Sequence, residues 1–296
     1  NIKQHTVMAL LDKVNMLITP NAFKAGKGYV VIGASDLTVL RNTSATRVNS
    51  AGLIELVGSN IMRIDYSSGT PMILDELQST VLNSFSTDII AGFTNVGSSC
   101  ALVSQTNPFG AANSVLITES GNGSKYINST GISFINGTNY TTSFIVKKGN
   151  GVNAPDFVQI TTGLAVAGNS FANFNILNGT VAFSQGGTGR VKNLQNGFFK
   201  ISFSFTATAN SSSNGFLLFC NNVFNSGRFT AYVASVDSNV FCVYGGIEQS
   251  LLPSSEIITG NAAATRNDDL ITVVPPSGTV RITTTFLDNT TQVINT

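Results

Sequence analysis

The 296-residue chain has one histidine, His5, three cysteines and fifteen acidic residues, and these few groups bound the chemistry it could do. A Ser-His-Asp or Cys-His nucleophile needs a positioned imidazole as its base, and the only imidazole lies five residues from the start. Glycoside hydrolysis needs two carboxyl groups about 5 to 9.5 Å apart across a cleft. Asp75 with Glu76, Glu119 with Asp156, and Glu248 with Glu256 are the pairs on offer, and nothing in their spacing sets them in one. Asp268 and Asp269, beside Arg266, lack the D-x-D-x-D loop that holds calcium. Cys100, Cys220 and Cys242 form no C-x-x-C pair for zinc, and their odd number points to buried free thiols. A bridge between Cys220 and Cys242 stays open, because it depends on whether their strands are neighbours. The chain is therefore expected to be no enzyme, with no catalytic residue, metal or cofactor.

Binding is the chemistry that remains. A sugar ring is held by stacking its apolar face on an aromatic side chain while amides and hydroxyls read its polar edge. The chain has no tryptophan, 20 phenylalanines and 6 tyrosines. Most of the phenylalanines must fill the core, so Tyr126, Tyr140 and Tyr232 are the candidate glycan-binding rings.

The elements that would carry such rings are strands. Only 10% of residues are charged and glycine numbers 28, so hydroxyls and amides must cover the surface, as on extracellular β proteins and virion parts. A net charge of +1 gives no basic face for nucleic acid. There is no run of about 18 apolar residues, so no membrane insertion is expected. Ser114 to Glu119, Thr141 to Lys148, Val158 to Thr161, Ala172 to Leu177, Thr180 to Phe183 and Phe198 to Thr206 read as short strands bounded by Gly, Asn or Ser. Strands at that spacing with no helical stretch among them argue for a jelly-roll β-sandwich of the all-β class.

A helical period occurs only at the start, where Val7, Leu10, Leu11, Val14, Leu17 and Ile18 make an apolar stripe ended by Pro20. It predicts a short N-terminal helix over residues 8–18, packed on its own sandwich or docked on a neighbouring subunit. Arg47 and Arg63, in a chain this poor in charge, are expected to pair with Glu55, Asp65 or Glu76. The organisation expected is an attachment segment over 1–24, a β-rich connecting region over 25–84, the jelly roll over 85–250 and a linker over 251–272. A small C-terminal β module begins at 273, with a strand pair around Asp288 and Asn289. The opening lacks an apolar signal core and does not start with Met, so the chain is expected to be processed or part of a longer polypeptide.

Two flanking segments and three strands carry a resemblance. Arg63-Ile-Asp-Tyr66, followed by Gly69 and then Glu76-Leu-Gln78, matches an R-x-D-Y, G-x6-E-x-Q pattern. Tyr244-Gly-Gly-Ile-Glu-Gln249 and Ala264-Thr-Arg266-Asn-Asp268 match the family's closing strand and its T-R-x-x-D. Between them, Thr142-Ser-Phe-Ile-Val-Lys147, Phe174-Asn-Ile-Leu-Asn-Gly179 and Asn196-Gly-Phe-Phe-Lys-Ile201 look like jelly-roll strands of carbohydrate-binding modules, with Phe198 standing for tryptophan and Lys200 for arginine. Over residues 8–296 the chain resembles tail-fibre and head-fibre appendage proteins of bacterial viruses that carry a concanavalin-like, carbohydrate-binding-module-like jelly roll. The resemblance implies a virion-surface structural protein that contacts other virion proteins, forms a homotrimer and adheres to a host-surface polysaccharide. A capsid decoration protein, and a secreted glycan-active enzyme or its binding module, are the alternatives.

Overall fold

The computed structural model describes residues 16–19, 22–25, 28–30, 37–69, 71–85, 93–221, 227–259, 262–273, 281–285 and 290–295. The chain forms two compact units. One comprises Asn1–Ala51, Glu55–Leu77 and Asn267–Thr296; the other comprises Gly52–Ile54 and Gln78–Arg266.

The first unit is made of small ribbons. β1 (Met16–Thr19), β2 (Ala22–Ala25) and β3 (Gly28–Val30) form an antiparallel meander. β4 (Leu37–Leu40) stands apart from β3, and its partner comes from far along the chain. β5 (Ala45–Val48) pairs with β6 (Ile54–Val57), and β7 (Ile64–Asp65) with β8 (Met72–Ile73). The expected helix over 8–18 falls mostly outside the described residues, including Val7, Leu10, Leu11 and Val14. Its last positions are corrected: Leu17 and Ile18 lie in β1, paired with Lys24 and Phe23. The apolar run Met16-Leu-Ile18 serves a strand as readily as a helix end, and the Pro20-Asn21 step that would stop a helix also suits a turn between β1 and β2.

The second unit is the jelly-roll sandwich. Its six-stranded sheet runs in the order β10 (Thr94–Val96), β14 (Tyr126–Asn128), β23 (Phe216–Asn221), β17 (Phe157–Thr162), β18 (Phe171–Asn175), β19 (Thr180–Gln185). The facing sheet runs β11 (Ser98–Ser104), β12 (Asn113–Glu119), β25 (Asn239–Glu248), β16 (Asn139–Lys148), β21 (Phe199–Thr206), β20 (Gly187–Asn193). β9 (Ser79–Phe85) pairs with β25 and with β26 (Ala264–Arg266). Two ribbons, β13 (Asn122–Gly123) with β24 (Tyr232–Val233) and β15 (Ile132–Phe134) with β22 (Ser211–Asn214), and one four-residue helix, α1 (Leu164–Ala167), complete it.

Phenylalanine fills the space between the sheets. Phe93 meets Phe85, Phe144 and Phe216 at ring distances of 4.8, 6.0 and 5.5 Å, and Phe144 meets Phe216 at 5.6 Å. The Gly-Gly of the closing-strand motif follows from this packing. A Cβ at Gly245 would sit 2.7 Å from the Phe144 ring and 3.1 Å from that of Phe93, so any larger residue would push the aromatic cluster apart.

The outer face of the eight-stranded sheet is polar and yet buried. Thr141 and Ser204 hydrogen-bond at 2.8 Å across β16 and β21, and Ser143 and Ser202 at 2.9 Å. Over them lies the segment after β25. The Thr141 hydroxyl donates to the Ser250 carbonyl, Lys200 to the Ser254 carbonyl and Ser84 to the Ile257 carbonyl. These buried hydroxyls and the Lys200 ammonium are thereby given partners. Among the described residues, an ion pair in this layer joins Lys200 to Glu256 at 2.9 Å, both about nine-tenths buried. Burial alone would raise the Glu256 pKa, but the charge and hydrogen bond of Lys200, with the charge of Lys192, hold it below the ordinary carboxylate value. Cys242 is a buried free thiol in β25, whose pKa burial pushes up. Cys220 lies in β23 of the other sheet, so the two cysteines are not on neighbouring strands.

The chain returns to the first unit at residue 267. There β27 (Leu270–Val273) pairs with β4, and β28 (Arg281–Thr285) pairs with β29 (Thr291–Asn295) as the expected C-terminal strand pair. Asp269 is buried and receives Arg41 at 2.6 Å and Arg63 on its other oxygen. Arg63 also holds Glu76 at 2.9 Å and the Thr46 carbonyl. Arg47 pairs with Glu55 at 2.6 Å, whereas Asp65 accepts the Val48 and Ser67 amides.

Two outcomes follow from these buried pairs. Asp269→Ala strands two buried guanidinium groups and lowers the stability of the first unit by about 3 to 5 kcal/mol; amide exchange along β4 and β27 reads this, and a loss under about 1 kcal/mol would contradict it. Lys200→Met costs the sandwich about 3 kcal/mol at neutral pH and reverses its pH response. With lysine present, the lowered Glu256 pKa gives stability above pH 4.5 that is lost on acidification. Without it, burial raises that pKa, so the variant gains stability as pH falls. Melting curves from neutral pH to about pH 4 decide the sign.

Candidate glycan-binding concavity

One end of the sandwich is shaped by the point where the chain passes between sheets. β10 is the edge of the six-stranded sheet and β11 belongs to the facing sheet, with only Gly97 between them. Gly97 has φ +57°, and a Cβ there would lie 2.6 Å from the Ser124 carbonyl oxygen. Both the left-handed backbone and the close approach require glycine. Beside this crossing opens a concavity of about 470 Å³, lined by Val96, Gly97, Asn122, Ser124, Tyr126 and Phe229, within the size range of small-ligand sites.

Tyr126 and Phe229 supply its aromatic surface. Their ring centroids are 5.6 Å apart and their planes are inclined at 53°. Tyr126 is fixed in β14 between Val96 of β10 and Phe219 of β23. Phe229 has a left-handed backbone, φ +56°, which is costly for a side chain of this size and marks a position held by its surroundings. The hold is visible. The Phe229 amide donates to Gln159 Oε1 at 3.1 Å, and Gln159 is fully buried and donates in turn to Asn173 Oδ1 and the Gly227 carbonyl. Arg228 donates to Thr161 Oγ1 and the Thr162 carbonyl, and its guanidinium lies 4.2 Å from the centre of the Phe229 ring. Burial lowers the Arg228 pKa.

Below the concavity the charges are engaged within the protein. Lys125 is buried, donates to the Gly123 and Tyr232 carbonyls, and lies 4.1 Å over the Tyr232 ring. The Tyr232 and Ser238 hydroxyls donate to the two oxygens of buried Glu119.

Of the three sequence-derived tyrosines, Tyr126 lines the concavity, whereas Tyr232 is not among its lining residues and is engaged with Glu119 and Lys125. Tyr140 is corrected: it is 1% exposed, stacked between Phe134 and Phe205, with its oxygen accepting the Ile135 amide. It offers a ligand no face. Phe198 is likewise fully buried. Phe229 escaped the sequence reading, because its placement depends on a strained turn pinned by Gln159 and Arg228, which no local pattern announces.

Five of the six carboxylates considered for catalysis are held by partners, and burial, with the nearby charge of Asp269, raises the pKa of the sixth, Asp75. Glu76 is tied to Arg63, Glu119 to Tyr232 and Ser238, Asp156 to Lys148 at 2.5 Å, Glu248 to Ser79 and the Ser254 amide, and Glu256 to Lys200. His5 lies outside the described residues. Among the described residues no group of three or more His, Cys, Asp or Glu could hold a metal ion, and no helix is long and apolar enough to cross a membrane.

No protein-family model matches the chain, nor does any curated protein. Among solved structures it is similar to the Clostridium thermocellum N-terminal endo-1,4-beta-D-xylanase 10B, its CBM22-1 and GH10 modules complexed with xylohexaose. The identity is 13%, the match covers 60% of this chain and 30% of that one, and the TM-score is 0.36. A likeness of that size carries no weight here; the account of the fold rests on the sheet topology and that of the site on the concavity.

The strained turn makes a stability prediction. Phe229→Gly relieves the left-handed backbone that Phe229→Ala retains, so the glycine variant is the more stable of the two by about 1 kcal/mol. Chemical denaturation of both proteins checks this. Equal stability would mean that the turn relaxes to a negative φ.

Proposed function

We propose that this protein is a glycan-binding component of a bacterial-virus appendage, working by adhesion without bond chemistry. Its jelly roll would hold a host-surface polysaccharide at the Tyr126–Phe229 concavity. One observation carries the binding reading: Phe229 is kept in a left-handed backbone by a fully buried glutamine and a stacked arginine, beside a second ring and the Asn122 and Ser124 side chains. A rigid, pre-positioned aromatic surface with polar groups at its rim is what stacking a sugar requires.

The virion setting is supported by the flanking segments, whose pattern resembles those of fibre proteins, and by a surface poor in charge. Homotrimeric assembly and a location on the virion surface belong to the same reading.

The test is binding to an array of bacterial surface polysaccharides and soluble oligosaccharides, followed by affinity measurement on the ligands retained. Tyr126→Ala and Phe229→Gly each weaken binding at least about tenfold, equivalent to ~1.4 kcal/mol, with melting curves that stay cooperative. Equal binding by the variants would reject the site. Release of shortened products from a retained polysaccharide would reject the non-enzymatic reading.

A further inference from the structure

We infer that the concavity takes an uncharged, soluble saccharide, a chain end or a turning chain segment, and discriminates against acidic polysaccharides and against flat crystalline polymers. The inference rests on the glycan reading above and adds the class of ligand to it.

The first argument is charge. No Asp, Glu, Lys, Arg or His is among the residues lining the concavity. The three cations and anions nearest to it are already engaged: Lys125 with two carbonyls and the Tyr232 ring, Glu119 with two hydroxyls, and Arg228 with Thr161, Thr162 and the Phe229 ring. Lys125 and Glu119 are buried. Turning either outward would cost the partner groups their hydrogen bonds. A uronate or sialate carboxylate placed against Tyr126 and Phe229 would lose hydration and meet only the half-buried Arg228, whose Nε and Nη2 are already given to Thr161 and Thr162. A neutral sugar loses only hydroxyl hydration, which amide and hydroxyl groups such as those of Asn122 and Ser124 can replace.

The second argument is shape. Two rings inclined at 53° with centres 5.6 Å apart cannot both lie against one flat surface. They suit a ligand whose stacking faces turn from one sugar to the next, or a single ring cupped between them. The hydrogen bond from the Phe229 backbone amide to Gln159 fixes where the ring is attached, and swinging the ring toward coplanarity with Tyr126 would lose its stacking on Arg228. A volume of about 470 Å³ likewise fits a short segment better than an extended plane.

The experiment uses the full chain and its Phe229→Gly variant against three kinds of probe. These are soluble neutral oligosaccharides of gluco-, manno- and xylo- type, oligogalacturonate and hyaluronan as acidic chains, and microcrystalline cellulose as a flat surface. The inference predicts that a neutral soluble probe binds and loses at least about tenfold in the variant, with less than about twofold change in affinity between low and high salt. Acidic probes bind at least about tenfold more weakly, and cellulose removes no protein from solution. If an acidic chain or cellulose binds as well as the best neutral probe, and the variant loses that binding, the inference fails while the concavity stands as a glycan site. If no probe binds, or binding is indifferent to Phe229→Gly, the glycan reading itself fails, and the inference with it.

Discussion

Asp269 is the residue on which the first unit closes. That unit is interrupted in sequence, since the chain leaves it at Leu77 and returns at Asn267, and one buried carboxylate ties the returning segment to both Arg41 and Arg63. Taking three charges out of water is expensive, and the arrangement stands only because nearly every direction of the two guanidinium groups is answered by Asp269, Glu76 or a carbonyl of Thr43, Thr46 or Gly58. Burial by itself would lower the Arg63 pKa; the hydrogen bond to Asp269 and the charges of Glu76 and Asp269 reverse the sign and raise it. The charged residues of the flanking motifs are thus explained as structure.

The sandwich obeys the same economy of charge by other means. Its buried outer layer is built from hydroxyl pairs and carbonyls with a lysine–glutamate pair, and its interior from phenylalanines packed with Ile, Val and Leu. Where the two sheets hand the chain across at Gly97, the packing leaves a concavity that the protein does not fill. The groups around it are rigid for identifiable reasons: a strand on either side of Tyr126, a buried amide under Phe229, an ammonium under Tyr232. Rigidity of this kind suits recognition, because little ordering is left to be done when a ligand arrives.

Much of this was legible in the sequence. The strands over Ser114–Glu119, Thr141–Lys148 and Phe198–Thr206 announce themselves by β-prone residues between turn residues, and the scarcity of charge narrows the partners of Arg47 and Arg63 to three acids, of which Glu55 and Glu76 are the ones they take. Three things were not legible. The end of the apolar stripe, Met16 to Ile18, satisfies a strand and a helix equally, and only pairing with β2 decides. Tyr140 and Tyr126 look alike as strand tyrosines, yet the first has the Ile135 amide and the Phe134 and Phe205 rings to bury it, while the second lies beside the sheet-edge strand β10. Phe229 is invisible because the left-handed position of its turn is filled by the phenylalanine itself and not by a glycine or asparagine, and is held by Gln159, seventy positions earlier.

The central claim is that ligand meets protein at the Tyr126 and Phe229 rings. Its most direct test is a nuclear magnetic resonance titration of protein labelled in its tyrosine and phenylalanine rings and backbone amides, with a neutral oligosaccharide that the protein binds. The account predicts that the ring signals of Tyr126 and Phe229 and the amides of Asn122 and Ser124 shift together on one binding curve, while those of buried Tyr140 and Phe198 stay in place. A shift map that leaves Tyr126 and Phe229 unmoved and gathers on the exposed face of β20, around Arg190 and Lys192, would contradict it.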